Sequence, residues 1–309
     1  MQRYIIRRVL FAIPVVLGVT VFVFCLIHVA PGDPVVLMLG KFYDPSFAAR
    51  ERHALGLDRP LSVQYLMWLA NIARGDLGRS ITQSNDVAAL VGQRLPTTML
   101  LAVGAMAIAL TIAIPLGVTA AIRAGRFADH VSRLAAMIGV SMPIFWLGLL
   151  LIIFFSLQLG WLPPGGSVDE FGWQALILPC LALGTSFAAL AMRITRSSML
   201  DVLREDYIRT ARAKGVAGRR VVYFHALRNA MVPIITVVGL QFGTVLSGTV
   251  LTETVFNIPG MGRLLVEAIS GRDYPLLQGT ILVTSLLYVL VNLAVDILYA
   301  ACDPRIRYH

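Results

Sequence analysis

Charge is what this sequence has least of. Asp, Glu, Lys and Arg make up 14% of its 309 residues, whereas 57% are hydrophobic and the mean hydropathy is +0.77. Soluble domains carry about 25% charged residues, so that class is excluded. Lysine is scarcer still. Lys41 and Lys214 stand alone, and neither ends a GxxxxGK[ST] phosphate loop, so any nucleotide hydrolysis is expected from another subunit. The three cysteines, Cys25, Cys180 and Cys302, are scattered without CxxC spacing and read as packing residues, with no disulfide or metal site implied. There is no HExxH helix and no pair of intramembrane aspartates, and Gly184-Thr185-Ser186-Phe187 lacks the second glycine of a nucleophile elbow. Of five histidines only His28 falls in an apolar run, where it reads as a hydrogen-bonded helix-end residue. Intramembrane proteolysis is thereby excluded.

What is present is six long runs of apolar residues. They cover Val9–Ala30, Thr98–Ile122, Ala135–Leu159, Gln174–Met192, Met231–Leu251 and Thr280–Ala300, and Asp296 in the last is the sole charge among them. At 1.5 Å per residue, about 19 to 25 residues cross a hydrocarbon core of about 30 Å. The expected fold class is therefore an all-α polytopic membrane protein with six transmembrane helices. The first run is too long for the h-region of a signal peptide, and Ile27-His28-Val29-Ala30 has no small residue at the minus-three position, so it reads as an uncleaved anchor. Pro115, Pro143, Pro179 and Pro233 fall in or at the start of spans two to five, kinks that a bundle around a pathway tolerates.

Orientation follows from Lys and Arg. Arg3, Arg7 and Arg8 precede span one, and Arg123, Arg126 and Arg133 lie between spans two and three. Nine more separate spans four and five: Arg193, Arg196, Arg204, Arg209, Arg212, Lys214, Arg219, Arg220 and Arg228. The other side has none between spans three and four, and Arg263 and Arg272 between five and six. Both termini are thus expected in the cytoplasm. The net charge of +9 is mostly this asymmetry, so no nucleic-acid partner is invoked. Asp296, about one turn from the end of span six, is expected to reach the interface or pair with Arg305 or Arg307. It does not read as the midplane ion site that a gradient-driven carrier needs.

Two segments outside the spans carry organisation. After span one, Pro31-Gly32-Asp33-Pro34 ends the helix and opens an external stretch. Within that stretch Val63, Leu66, Met67, Ala70 and Ala73 recur at helical spacing near Trp68, which predicts an amphipathic helix, either a packed cap or a docking surface for an external protein. The other segment is the basic loop before span five. Leu200, Leu203, Tyr207 and Ala211 fall on one helical face continuing from span four. Gly215 and Gly218 bracket a break, and Val221, Phe224, His225 and Arg228 begin a second helix toward Pro233. Thr210, Ala211 and Ala213 are small enough for another helix to approach closely. A topological anchor needs no such helix–Gly–helix layout, so the loop is expected to dock a soluble partner.

At these residues the chain resembles the inner-membrane permease subunits of binding-protein-dependent ATP-binding-cassette importers. Arg209-Thr210-Ala211 occupies the positions of that family's Glu-Ala-Ala motif and Gly215 its glycine, while His225, Leu227 and Arg228 stand at its Ile, Leu and Pro. Arg209-Thr210-Ala211-Arg212-Ala213-Lys214-Gly215 followed by His225-Ala226-Leu227-Arg228-Asn229-Ala230 is similar to the peptide, nickel and glutathione branch. Ser141-Met142-Pro143-Ile144-Phe145-Trp146, Thr252-Glu253-Thr254-Val255-Phe256, Pro259-Gly260-Met261-Gly262-Arg263, Arg272-Asp273-Tyr274-Pro275 and Asp303-Pro304-Arg305-Ile306-Arg307 agree with it too. The resemblance, to the B-type permease with the long first external loop, implies the type I importer permease (MetI-like) fold. Residues 1–30 would be the cytoplasmic tip and helix 1, 31–94 the external loop, 95–300 the core with a coupling loop at 193–230, and 301–309 a cytoplasmic tail.

It further implies a second homologous permease subunit, two cytoplasmic ATP-binding subunits that use ATP and Mg, and an external solute-binding protein, with this chain in the bacterial inner membrane and binding no cofactor. Thr210–Gly218, including Val216 and Ala217, would form the coupling helix, supported by Glu205, Asp206, His225, Arg228 and Asn229. Pro31, Gly32, Asp33 and Pro34 would lie near the binding protein. The expected cargo is di- or oligopeptides, with glutathione or nickel as alternatives; no His/Cys cluster in the spans favours metal. A membrane scaffold or a gradient-driven carrier would be the rival classes.

Overall fold

In a computed structural model, residues 2–29, 45–46, 50, 53 and 58–302 are described. The Pro31–Pro34 turn and the Asp303–Arg307 tail lie outside them, as does the side chain of His28. Each apolar run but the third becomes one helix that overshoots it at one end or both, because the flanking residues also favour helix once the apolar stretch has nucleated it. Helix α1 is Gln2–Val29, α2 Leu61–Ala73, α3 Val87–Ile122, α4 Phe127–Ser141 and α5 Ile144–Leu151. They are followed by α6 Ile177–Leu203, α7 Asp206–Ala213, α8 Leu227–Val255, α9 Met261–Ser270 and α10 Tyr274–Cys302. No strand occurs among the described residues; Arg79 and Asp86 form an isolated bridge.

Helices α3 and α6 pack along most of their lengths, and α4, α8 and α10 assemble around them. Lipid supplies no hydrophobic drive for helices to associate, so close packing through small residues substitutes for it. Ala102, Ala109 and Ala113 of α3 meet Ala188, Ala189 and Ala191 of α6. Gly184 sits so close to α3 that a Cβ there would lie 2.7 Å from the Ala105 carbonyl oxygen. Helix α1 runs beside α10, where the Gln278 amide donates to the Val23 carbonyl (3.1 Å) and Arg8 meets Asp296 at 3.1 Å. Asp296 therefore has a first-helix partner that linear distance in sequence concealed; Arg305 and Arg307, named as its possible partners, lie outside the described residues.

Span three departs most from expectation. It is two arms, Phe127–Ser141 and Ile144–Gln158, bent by 102° at Met142-Pro143. Proline lacks the N–H that would bond the Gly139 carbonyl and disfavours helical backbone in its predecessor. Met142 accordingly turns extended (φ −84°, ψ 121°). Pro14, Pro96, Pro115 and Pro233, by contrast, sit inside unbroken helices. The second arm ends in a π-helical stretch, Ile152–Gln158, and reaches the far end of α8, where the Gly166 N–H donates to the Phe256 carbonyl (2.9 Å). The segment thus crosses the bundle as one broken span.

Helix α2 forms where an amphipathic helix was expected, with the apolar stripe turned away from the bundle. Val63, Leu66, Met67, Ala70 and Ala73 are all exposed. The α1 contact is made by Tyr65 and Trp68, whose rings cluster with Phe24, and the Tyr65 hydroxyl lies 2.8 Å from that of Thr20. Aromatic groups with a polar handle won the interface, and the apolar stripe was left outward.

Candidate functional site: the basic loop and its supports

Helix α6 ends at Leu203, beyond the apolar run, so Arg193 and Arg196 lie in the helix and not in a loop. Arg196 is committed: its Nε and Nη2 donate to Asp129 Oδ1 and Oδ2 at 2.6 and 2.8 Å. Asp129 is 1% exposed, also accepts from the Gly125 N–H at 2.9 Å, and has Arg133 3.5 Å away. This bidentate pair ties the turn between spans two and three to α6 and fixes the base from which the loop projects. Two arginines counted toward topology are thus structural, and Asp129 had no signal in the local sequence.

Arg204 and Glu205 turn the chain, with Glu205 extended (φ −66°, ψ 147°), and Asp206 begins α7. The expected continuous face from α6 is therefore interrupted. The helical part of the loop is Asp206–Ala213, half a segment earlier than Thr210–Gly218, because Lys214 to Ala217 form the turn that ends it. That turn is a Schellman motif: the Gly215 N–H donates to the Arg212 carbonyl (3.0 Å) and the Val216 N–H to the Ala211 carbonyl (3.2 Å). Gly215 has φ +73°, a conformation costing an L-residue about 1–2 kcal/mol. Ala217 then leads into Gly218–Arg220, a π-helical stretch from Val221 to Ala226, and α8.

Ile208 is the buried anchor of α7. Fully enclosed, it packs with Val118 and Ala121 of α3, Met199 of α6, and Val221, Ala226, Ala230 and Ile234 on the approach to span five. Burying such a side chain stabilises by about 1.5–3 kcal/mol. Ala211 and Val216 join the margin of that cluster. Asn229 donates to the Tyr207 hydroxyl and to the His225 carbonyl, both at 2.9 Å, bridging α7 to the start of α8. The face away from the bundle is exposed: Arg209, Thr210, Arg212, Ala213, Lys214, Gly215, Ala217 and Gly218. Arg209 meets Asp206 at 3.2 Å, but both side chains are solvated, so the pair contributes little and leaves the surface basic. Arg228 and Arg220 flank the exposed Phe224 ring at 6.0 and 5.9 Å. All the expected loop residues are brought to one end of the molecule. Ile208, which organises them, was missed because it is a lone apolar residue in a basic stretch.

The opposite end is cross-braced by buried carboxylates. Glu253, fully buried, accepts from the Thr98 hydroxyl (2.6 Å) and the Arg263 N–H (3.0 Å), and Thr98 accepts the Met261 N–H (2.8 Å). This joins α8 and α9 to α3. Asp273, also fully buried, accepts from the Ser80 hydroxyl (2.6 Å), the Thr82 hydroxyl (2.8 Å) and the Thr82 N–H (2.9 Å). Its other oxygen accepts the Leu276 N–H (3.1 Å) in the first turn of α10. Burial pushes this carboxyl up, but the bonds from Ser80, Thr82 and Leu276 outweigh it and hold it below the usual 3.8. The Thr252–Arg263 and Arg272–Pro275 segments are therefore structural joints.

A helical membrane bundle with a broken third span and one projecting basic loop before span five defines a transport permease core. The chain belongs to the family described as "Binding-protein-dependent transport system inner membrane component", matched over residues 113–308, and its N-terminal companion matches residues 1–102. It is an inner-membrane permease of the ATP-binding-cassette importers. It is 46% identical over 334 residues to the di/tripeptide transport system permease protein DppB of Pseudomonas aeruginosa (100% of this chain, 99% of that protein). It is likewise 46% identical over 308 residues to the glutathione transport system permease protein GsiC of Escherichia coli K12, covering 100% of both. Among solved structures, an inward-facing MetNI methionine ABC transporter chain superposes with TM-score 0.58 at 19% identity, over 69% of this chain and 96% of that one. That likeness is one of fold.

Proposed function

We propose that this permease carries di- or oligopeptides, glutathione included, across the inner membrane, and that the Glu205–Gly218 loop receives the force of ATP hydrolysis from a separate subunit. The observation that carries the coupling role is the geometry of α7: a short helix closed by a left-handed glycine, pinned on one side by Ile208 and presenting a solvated basic face on the other. Such an element moves as a unit with α6 and α8, so a displacement imposed on its exposed face reaches both spans. The cargo class rests on the two full-length relatives.

On this reading a second permease completes the pathway, two ATP-binding subunits with ATP and Mg take the loops, and an external binding protein delivers cargo. Both termini lie on the cytoplasmic side with the basic loop, and the chain performs no bond-making and binds no cofactor. The test is binding-protein-stimulated ATPase activity of the reconstituted complex, wild type against Gly215→Pro. Proline removes the N–H that bonds Arg212 and cannot adopt φ +73°. Stimulation should collapse with the complex still assembled; stimulation untouched by the change contradicts the coupling role.

A further inference from the structure

The broken span and Arg193 meet in one place. A cleft of about 550 Å³ lies between α4 and α6, lined by Met137, Val140 and Ser141 on one side and Leu190, Arg193 and Ser197 on the other. Its size falls within the range that holds small-molecule ligands. Three arginines line it, Arg133 of α4 and Arg193 and Arg196 of α6, but their states differ: Arg133 lies 3.5 Å from Asp129 and 2.9 Å from His130 Nδ1. The Arg196 charge is neutralised by Asp129, whereas exposed Arg193 has no hydrogen-bond or ion-pair partner among the described residues. Ser141 and Ser197 are exposed beside it.

Non-helical backbone at membrane depth is tolerated only where protein or a water-filled cavity covers it. The Ser141-Met142-Pro143 break, with Ser141 and Pro143 exposed, is such backbone and borders the same cleft. Arg193 directly follows Met192, the last residue of the fourth apolar run, so its guanidinium stands at the edge of that run within reach of water. A lipid-facing groove does not cover the break.

Resting on the importer reading above, we propose that this cleft is a cargo site on the translocation pathway. In it the Arg193 guanidinium holds the terminal carboxylate of a peptide, with the Ser141 and Ser197 hydroxyls as further donors. Arginine suits this task because its planar fork matches a carboxylate. The apolar lining of Met137, Val140 and Leu190 accepts side chains without selecting among them, as a pathway for varied peptides requires.

The experiment uses the whole reconstituted complex, with the binding protein pre-loaded to equal occupancy with trialanine or trialanine amide. Arg193→Gln should cut ATP-driven uptake of the acid about tenfold and leave the amide within about twofold, while Arg193→Lys recovers part of the acid uptake. Equal loss for acid and amide, or no loss, overturns the site while leaving the importer reading intact. A wild-type complex without ATP-driven uptake overturns both. Phosphate is the alternative anion: if Arg193→Gln strips co-purified phosphatidylglycerol and leaves both uptakes unchanged, the cleft is a lipid headgroup site and the cargo assignment falls.

Discussion

The two ends of this molecule solve opposite problems with similar residues. At the end carrying Glu253 and Asp273, carboxylates are buried without a guanidinium hydrogen bond among the described residues, and hydroxyls and backbone N–H groups from distant segments converge on them. At the basic end the charges are turned outward and one apolar side chain, Ile208, does the holding. The first arrangement locks helix ends together, since every donor would be left unpaired by a shift of an ångström. The second permits motion, because apolar contacts are non-directional and survive small displacements. A permease needs both: joints that do not slip, and a handle that another subunit can move.

The largest effect should come from the brace under the handle. Asp129→Ala strands Arg196 and frees the Gly125 turn, and breaking such a pair costs about 3–5 kcal/mol. Thermal unfolding of the detergent-solubilised protein should show it, and near-wild-type stability would mean the brace is ornamental. Ile208→Ala should cost about 2–4 kcal/mol by the same measurement, through the cavity it leaves. It should also raise proteolysis between Glu205 and Gly218 ahead of global unfolding; coincident cleavage and unfolding would contradict Ile208 as the contact that holds α7 to α6 and α8.

Asp273→Asn sharpens the contrast through pH. A depressed native pKa makes the ionised carboxylate a stabilising group above the usual value of 3.8, a contribution lost as pH falls through the native value. Wild-type stability should therefore drop more steeply in acid than that of Asp273→Asn, which should be less stable at neutral pH. Parallel acid limbs would mean that folding leaves the Asp273 pKa unchanged, so that its hydrogen bonds do not favour the ionised form. The smallest stability change belongs to Arg209→Glu with Arg212→Glu, both on the exposed face: within about 0.5 kcal/mol. Activity should nevertheless fall, since an acidic face no longer complements the same partner. Unchanged stimulated ATPase activity would remove the basic face from the account.

Much of this was legible in sequence because the bilayer is a severe solvent. Length and apolarity located all six spans, and the Gly215 reversal follows from a glycine between two helical patterns. Spans two and three were both read as kinked, because a proline breaks a helix or merely sits in it according to its neighbours: Pro115 and Pro143 look alike in the chain, yet α3 runs on and the third span bends by 102°. The stripe on α2 was read as either a packed cap or a docking surface, because lipid or a partner can take an apolar face as readily as a core can; it is exposed in this chain. Asp129 with Arg196, Glu253 with Thr98, and Asp273 with Ser80 join residues 67, 155 and 193 positions apart, and no local pattern announces such pairs.

The most direct test of the central claim is a photo-crosslinker at Ala213, on the exposed side of α7, in the assembled transporter. An adduct with the ATP-binding subunit is expected, with a yield that changes between nucleotide-free and ATP-trapped complexes, and none from the same probe at Trp173 at the opposite end. Equal adducts from both positions, or an Ala213 probe that captures no ATP-binding subunit, would contradict it.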